Sequence, residues 1–188
     1  WPAASATASC ARGRIEPVRQ DKTIWAVQNR TVWAVIGFAA ALYGANIWGY
    51  DLWPPDEPRF AEVAREMLQS GDWLVPRVNG EPYKEKPPLL FWSIAVSSWP
   101  FGDVTAGSAR SVSVAAGLAM TIMTYVLASR LFGKRVGLWS AVVLMTSTRV
   151  WLQARTAQTD MLLAALLTAA LLAFWLWHES RRTHMLLA

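Results

Sequence analysis

Charged residues are scarce in this chain. Only 16% of its 188 residues are Asp, Glu, Lys or Arg, whereas an ordinary soluble domain carries about 25%. The single cysteine, Cys10, excludes an internal disulfide framework and a zinc site built from cysteines. The composition therefore argues against a soluble globular protein. Hydrophobic residues make up 54% of the chain and include twelve tryptophans, which favours a membrane protein.

The formal net charge of +5 says little about partners. A basic balance indicates nucleic acid only where the charge lines a polar face, and here the basic residues lie between long apolar runs. We therefore expect no nucleic-acid partner.

Four segments are predicted to cross the membrane. Three charge-free runs approach the ~20 helical residues that a crossing requires, and a fourth is long enough if Arg149 is tolerated inside it. Between residues 87 and 102, however, Pro87, Pro88 and Pro100 leave only about 12 helical residues, which is short for a crossing. The predicted spans are residues 31–50, 109–130, 136–157 and 161–178.

The basic clusters set the predicted orientation, because Lys and Arg of short loops stay on the cytoplasmic side. The clusters precede the first span, separate the second from the third and follow the fourth, so they share one side only if residues 87–102 do not cross. We therefore expect a multi-pass protein of the plasma (inner) membrane, with both ends cytoplasmic and an extracytoplasmic loop of residues 51–108. Residues 1–24, which show no apolar period, are predicted to form a flexible basic cytoplasmic tail.

The sequence pattern of the outer loop predicts an amphipathic helix. Apolar side chains recur at helical spacing, Pro58 suits the first turn, and Gly71 suits the C-terminal cap. Such a helix is expected to lie on the membrane surface or against the spans. The predicted fold class is an all-α membrane protein, with about four transmembrane helices plus juxtamembrane amphipathic helices in the outer loop. The apolar positions are Phe60, Val63, Ala64, Met67 and Leu68.

Two acidic residues, Asp56 and Glu57, stand where this helix begins. Asp is among the best N-cap residues, so a capping role for Asp56 competes with a chemical one. Arg59 occupies the position where a capping box would need Glu or Gln, so the reciprocal box is missing.

A second polar group follows at Tyr83-Lys84-Glu85-Lys86, just before a proline pair. It suits a solvated turn, but a lysine at this depth can also hold a lipid phosphate, and a carboxylate can bind a metal or a sugar hydroxyl. Both readings stay open.

A third group comes near the end of the third predicted span. Arg149, Gln153, Thr156 and Asp160 are spaced four, three and four residues apart, which predicts one stripe of a continuous helix. Arg149 could instead extend outward to the interface, and Asp160 could cap the fourth span. In the predicted topology, however, Asp56, Glu85 and Asp160 all emerge on the outer face.

Four motifs together resemble the integral-membrane glycosyltransferases of the GT-C type, among them the aminoarabinose transferase that modifies lipid A and the dolichyl-phosphate-mannose protein mannosyltransferases. Each motif is weak alone, but their order and spacing are fairly specific, and the resemblance covers about residues 31–180. The motifs are Asp56-Glu57-Pro58-Arg59-Phe60-Ala61-Glu62, Ser70-Gly71-Asp72-Trp73-Leu74-Val75-Pro76, Glu85-Lys86-Pro87-Pro88 and Gln158-Thr159-Asp160.

The resemblance implies a polyprenyl-phosphate sugar donor and a lipid (lipid A-like), protein or glycan acceptor. It also implies an inverting transfer at the extracytoplasmic membrane face, where the protein contacts membrane lipids. It implies that Asp56 is the general base and that Asp160 is a second acidic residue of the site. No cofactor is certain; a divalent metal stays open, with Glu85 as its candidate ligand. The residues assigned to substrate and phosphate binding are Glu57, Arg59, Tyr83, Glu85, Lys86 and Arg149.

Members of the resembled family are considerably longer than this chain, which begins with Trp1. We therefore expect residues 25–188 to be the N-terminal part of a GT-C domain, which could be inactive by itself. The main alternative is a non-catalytic membrane scaffold or partner-docking fragment. A transporter is disfavoured, because only Arg149 lies within a predicted span.

Overall fold

The computed structural model describes the backbone of residues 22–187 and the side chains of residues 32–181. Within this part the secondary structure is helical apart from one two-stranded hairpin, in agreement with the predicted helical class. Residues 1–21 of the predicted tail lie outside the described residues. The elements are α1 (Lys22–Gly44), α2 (Asp56–Ser70), β1 (Arg77–Val78), β2 (Glu81–Pro82), α3 (Leu89–Ser98), a 3₁₀ turn (Trp99–Phe101), α4 (Ala106–Phe132), α5 (Lys134–Thr146), α6 (Thr148–Ala154) and α7 (Thr159–Leu187).

Two of the described helices, α4 and α7, are long and apolar enough to cross a membrane. Val32–Gly44 and Leu89–Phe101 are apolar but shorter. The second segment includes α3, which agrees with the prediction that three prolines shorten it. The count of four spans stays a prediction.

The third predicted span differs from the structure. Helix α5 ends at Thr146, and Ser147 adopts an extended backbone with φ −63° and ψ 124° before α6 begins. The Thr146 hydroxyl donates to the carbonyl of Val142 at 2.8 Å, a local bond that competes with helix continuation. Because α6 also ends at Ala154, the prediction of one continuous helix from Arg149 to Asp160 is wrong.

The amphipathic helix predicted between residues 51 and 108 is confirmed as α2. Its apolar stripe, including Phe60, Val63 and Met67, is buried. The Gly71 backbone takes the left-handed conformation at φ 70° and donates its N–H to the Met67 carbonyl at 3.1 Å, which ends the helix. The buried stripe faces α3, where the rings of Phe60 and Phe91 lie 5.9 Å apart.

A tight hairpin joins β1 to β2. Asn79 and Gly80 both have positive φ, 54° and 80°, as a two-residue hairpin turn requires. The Glu66 carboxylate of α2 accepts the N–H groups of Asn79 and Gly80 and so fixes the turn against the helix. Tyr83 follows the hairpin directly, and its backbone N–H donates to the Pro76 carbonyl at 2.8 Å.

Helix α4 is the central helix and contacts α1, α3, α5, α6 and α7. Gly117 lies where three helices meet: a Cβ on it would stand 2.9 Å from Ala154 Cβ and 3.3 Å from the Tyr43 ring. One turn further along, Tyr43 and Thr121 share a buried hydrogen bond of 3.2 Å. This close approach brings α6, and the loop that follows it, against the bundle.

Candidate functional site

A cleft of about 970 Å³ opens between the first turns of α2 and the hairpin. It brings together three residues that the sequence assigned to substrate binding. Arg59 Nη1 lies 3.5 Å from Glu85 Oε2, and the Tyr83 hydroxyl donates to the same oxygen at 3.1 Å. The lining residues are Pro58, Arg59, Glu62, Val78, Asn79, Glu81, Pro82, Tyr83, Lys84 and Glu85.

Tyr83 is 8% exposed, and its ring meets Phe91 edge-on at 5.7 Å. Burial is the main cause that raises the pKa of the Tyr83 phenol above its ordinary value, and the neighbouring Glu85 carboxylate acts in the same direction. Tyr83 therefore stays protonated at neutral pH and holds Glu85 as a hydrogen-bond donor.

The contacts of Glu85 bear on its suggested role as a ligand of a divalent metal. Its carboxylate faces the Arg59 guanidinium and the Tyr83 hydroxyl. Among the residues whose side chains are described, no three His, Cys, Asp or Glu side chains gather to hold a metal ion. The donors around Glu85 therefore do not fit a divalent-metal site. Lys86 is exposed and is not one of the residues that line the cleft.

Asp56 and Glu57 have different surroundings although they are neighbours. Asp56 is the first residue of α2 and is half-buried, and within the described part of the chain its carboxylate accepts no hydrogen bond and joins no ion pair. The N-cap position belongs to Pro55, so the predicted capping role of Asp56 is not realised. The Asp56 carboxylate is left available for another partner.

Glu57 is 1% exposed and its carboxylate is fully engaged. Arg110 Nε and Nη2 donate to it at 3.0 and 2.7 Å, and the backbone N–H groups of Trp53 and Ala157 donate at 2.7 and 2.6 Å. The substrate-binding role assigned to Glu57 stays a prediction, but this carboxylate already has partners on both oxygens.

The pKa of Glu57 follows from these contacts. Burial alone would raise it, but the hydrogen bonds from Arg110, Trp53 and Ala157 together outweigh burial and hold the pKa below its ordinary value. Glu57 is therefore a carboxylate at neutral pH, and its charge is balanced inside the protein by Arg110.

The sequence pattern did not single out Arg110, which there only marks the start of an apolar run. It lies in the first turns of α4, is 0% exposed, and also donates to three backbone carbonyls beyond the end of α1. Its guanidinium lies 3.8 Å from the centre of the Tyr50 ring. In the sequence Arg110 is only an arginine at the start of an apolar run, preceded by a loop that contains many carboxylates. The three carbonyls belong to Ile47, Tyr50 and Asp51.

The Arg149 group assembles despite the interrupted helix. Gln153 Nε2 donates to Asp160 Oδ2 at 2.9 Å, and Arg149 Nη2 lies 3.8 Å from the same oxygen. Arg149 is 79% exposed, so the pair is loose and the guanidinium is free to turn toward another anion. The turn between α6 and α7 therefore achieves the proximity that a continuous helix was expected to give.

Residues 29–188 match the family model of the dolichyl-phosphate-mannose-protein mannosyltransferases. The chain belongs to this family. The match confirms the resemblance drawn from the four motifs.

The chain is similar to transferases that are named for an aminoarabinose donor. Over 129 residues, 66% of this chain and 22% of the relative, it is 42% identical to the undecaprenyl phosphate-alpha-4-amino-4-deoxy-L-arabinose arabinosyl transferase 2 of Sodalis glossinidius (strain morsitans). Over 130 residues, 69% of this chain and 23% of the relative, it is 37% identical to the corresponding transferase of Edwardsiella ictaluri (strain 93-146). The chain thus spans about a quarter of the length of these relatives.

Crystal structures of ArnT from Cupriavidus metallidurans share the fold. The apo structure is 30% identical with a TM-score of 0.70, and the match covers 80% of this chain and 27% of that one. The structure bound to undecaprenyl phosphate is 31% identical with a TM-score of 0.69, covering 80% and 26%.

Proposed function

We propose that this chain contributes to the active site of a membrane glycosyltransferase that moves a sugar from a polyprenyl-phosphate donor to a lipid, protein or glycan hydroxyl. Membership of the mannosyltransferase family supports this, as does similarity to transferases named for undecaprenyl-phosphate-linked aminoarabinose. The observation that carries it in the structure is the contrast between the unpaired Asp56 carboxylate and its locked neighbour Glu57.

The proposed reaction is an inverting substitution with Asp56 as general base. Asp56 takes the proton from the acceptor hydroxyl as that oxygen attacks the anomeric carbon. The bond between this carbon and the phosphate oxygen breaks, and the polyprenyl phosphate leaves with the electron pair. A positioned carboxylate contributes about 10²–10⁴-fold to such a step.

The leaving phosphate needs positive charge to stabilise it. Arg149 and Lys86 are exposed cations of the assigned groups, and Arg149 is held only loosely by Asp160. In the proposal Asp160, fixed by Gln153, is the second acidic residue of the site. Arg59, Tyr83 and Glu85 line the cleft between α2 and the hairpin, and in the proposal they contact substrate hydroxyls and charge.

The donor class is tested in proteoliposomes containing the full-length protein. Labelled sugar is offered as a polyprenyl-phosphate aminoarabinose, a polyprenyl-phosphate mannose or a nucleotide sugar, and transferred label and released polyprenyl phosphate are counted. We expect one of the two lipid-linked donors to be consumed. Arg149→Gln should raise the KM for that donor about tenfold, the effect of losing one charged contact.

Arg77→Gln is the control, because Arg77 is a half-exposed arginine that also has a distant carboxylate partner, 3.9 Å away on Asp72. It should leave KM unchanged. Consumption of the nucleotide sugar alone, or equal effects of the two variants, would contradict the donor assignment.

We also propose that the outer loop, residues 51–108, faces the extracytoplasmic side and that the α4–α5 junction faces the cytoplasm. The uneven distribution of basic residues supports this orientation. It would put the cleft and Asp160 on the face where lipid-linked donors are presented.

Orientation is measured by labelling single cysteines in a Cys10→Ser background with a membrane-impermeant maleimide. Gln69→Cys, on the exposed last turn of α2, should react from outside in intact cells. Phe132→Cys, which is 70% exposed beside the α4–α5 junction, should react only after permeabilisation. Gly133 is avoided because its φ of 90° would strain a cysteine. Labelling of Phe132→Cys in intact cells would overturn the orientation.

A further inference from the structure

Arg110 directs its guanidinium to two separate parts of the outer end of the bundle. Its Nη atoms donate to the carbonyls of Ile47, Tyr50 and Asp51 at 2.8–2.9 Å. Its Nε and Nη2 also form the paired bonds to Glu57. One buried side chain therefore joins the start of α4, the segment after α1 and the first turn of α2.

Glu57 extends this connection to the other acidic residue of the candidate site. It accepts the backbone N–H of Ala157, in the turn between α6 and α7. Asp160 follows Ala157 by three residues, and Asp56 precedes Glu57 by one. The two carboxylates assigned to the reaction are thus both attached, through short stretches of backbone, to Glu57, which Arg110 holds in place.

The chemistry of the pair favours a geometric role over simple cohesion. Apolar side chains of similar volume often stabilise a core as well as a buried ion pair does, but they cannot donate to three carbonyls and a carboxylate at fixed angles. Arg presents its donors in a rigid planar fork, which Lys lacks. A general base must lie within hydrogen-bond reach of its proton, and a displacement of about 1 Å can cost about 10²-fold in rate.

We propose that the Arg110–Glu57 pair is a positioning device that sets Asp56 relative to the turn between α6 and α7, and so relative to Asp160 at the start of α7. The catalytic part of this inference rests on the proposed glycosyltransferase function. The geometric part rests only on the contacts above and is measured separately.

The geometric arm uses spin labels on Gln69→Cys of α2 and Leu163→Cys of α7, both exposed, in a Cys10→Ser background of the full-length protein. The distance between the labels should show one narrow distribution, and Arg110→Lys should broaden or shift it. Arg130→Lys is the matched control, because Arg130 also lies on α4 and pairs with a glutamate, Glu179, at 2.9 Å, but is 52% exposed. It should leave the distribution unchanged.

The kinetic arm measures kcat and KM for the lipid-linked donor, each per mole of folded protein. Arg110→Lys should lower kcat about 10–10²-fold while KM stays within about twofold, as expected for a misplaced base with intact donor contacts. Arg130→Lys should retain both values. If Arg110→Lys does not accumulate, Glu57→Gln, which keeps the shape of the side chain, takes its place in both arms.

An unchanged label distribution in the pair variants overturns the proposal whatever the activity does. So does a loss of activity that only follows the folded fraction. If the unsubstituted protein transfers no sugar from any lipid-linked donor, the proposed function fails, while a broadened distribution in Arg110→Lys still supports the positioning of the two segments.

Discussion

Asp56→Asn is expected to lower sugar transfer by about 10²–10⁴-fold, the contribution of a positioned general base. The amide keeps the size of the side chain but cannot accept the proton of the acceptor hydroxyl. Because the Asp56 carboxylate makes no hydrogen bond or ion pair in the described residues, the substitution removes no contact of the fold. Transfer from the lipid-linked donor is measured in proteoliposomes, with membrane insertion and thermal unfolding checked in parallel.

Asp51→Asn is the matched control for this experiment. Asp51 is an exposed aspartate of the same loop, and Arg110 uses its backbone carbonyl, which the substitution leaves in place. Its activity should stay near that of the unsubstituted protein. Full activity of Asp56→Asn would remove Asp56 from the role of base and leave Asp160 as the remaining candidate.

Local sequence patterns between residues 51 and 86 predicted local structure well. The buried stripe of α2 and its end at Gly71 depend on residues within a few turns of each other, so helical spacing and a glycine cap determine them. Asn79-Gly80 carried an equally local hairpin signal that would have predicted how Tyr83 reaches the cleft.

Long-range partners were beyond the same reasoning. Arg110 meets Glu57 across 53 positions of sequence, and an arginine at the edge of an apolar run gives no sign of whether it faces water or a buried carboxylate. The interruption at Ser147 was hidden for a related reason, since residues 136–157 are apolar enough to read as one helix. The spacing correctly predicted that Arg149 and Asp160 lie close together, but the reason was wrong. They meet across the turn between α6 and α7, not along one continuous helix.

The contrast between Asp56 and Glu57 has a physical reading that the sequence could not supply. In the sequence the two carboxylates are adjacent and chemically alike. Successive residues of a helix point about 100° apart, so one of them faces the interior, where an unpaired charge is very costly, and the other does not. Arg110 satisfies the interior one, which leaves the other available for chemistry.

Arg110→Met should destabilise the fold by about 3–5 kcal/mol, the usual cost of breaking a buried ion pair from one side. It leaves the Glu57 carboxylate 1% exposed without its guanidinium and three carbonyls without their donor. Thermal unfolding in detergent micelles, followed by helical circular dichroism, measures the loss. Arg130→Met, which breaks an exposed pair on the same helix, should cost only about 0–1 kcal/mol.

The pH dependence of unfolding separates this loss from a general packing defect. In the unsubstituted protein the pKa of Glu57 is lowered, so its stabilising contribution is present above the ordinary value of 4.5 and is lost as pH falls through the lowered one. In Arg110→Met burial should raise the pKa of Glu57 instead, so its contribution is present at low pH and is lost as pH rises. The stability difference between the two proteins should therefore widen as pH rises above the ordinary value of 4.5.

The double variant Glu57→Leu with Arg110→Met completes the test, because it removes both charges and leaves no buried carboxylate. It should recover stability relative to Arg110→Met and lose the dependence of the difference on pH. A difference that is constant with pH, or a double variant less stable than Arg110→Met by the full cost of a second lesion, would show that the two side chains do not act as a pair.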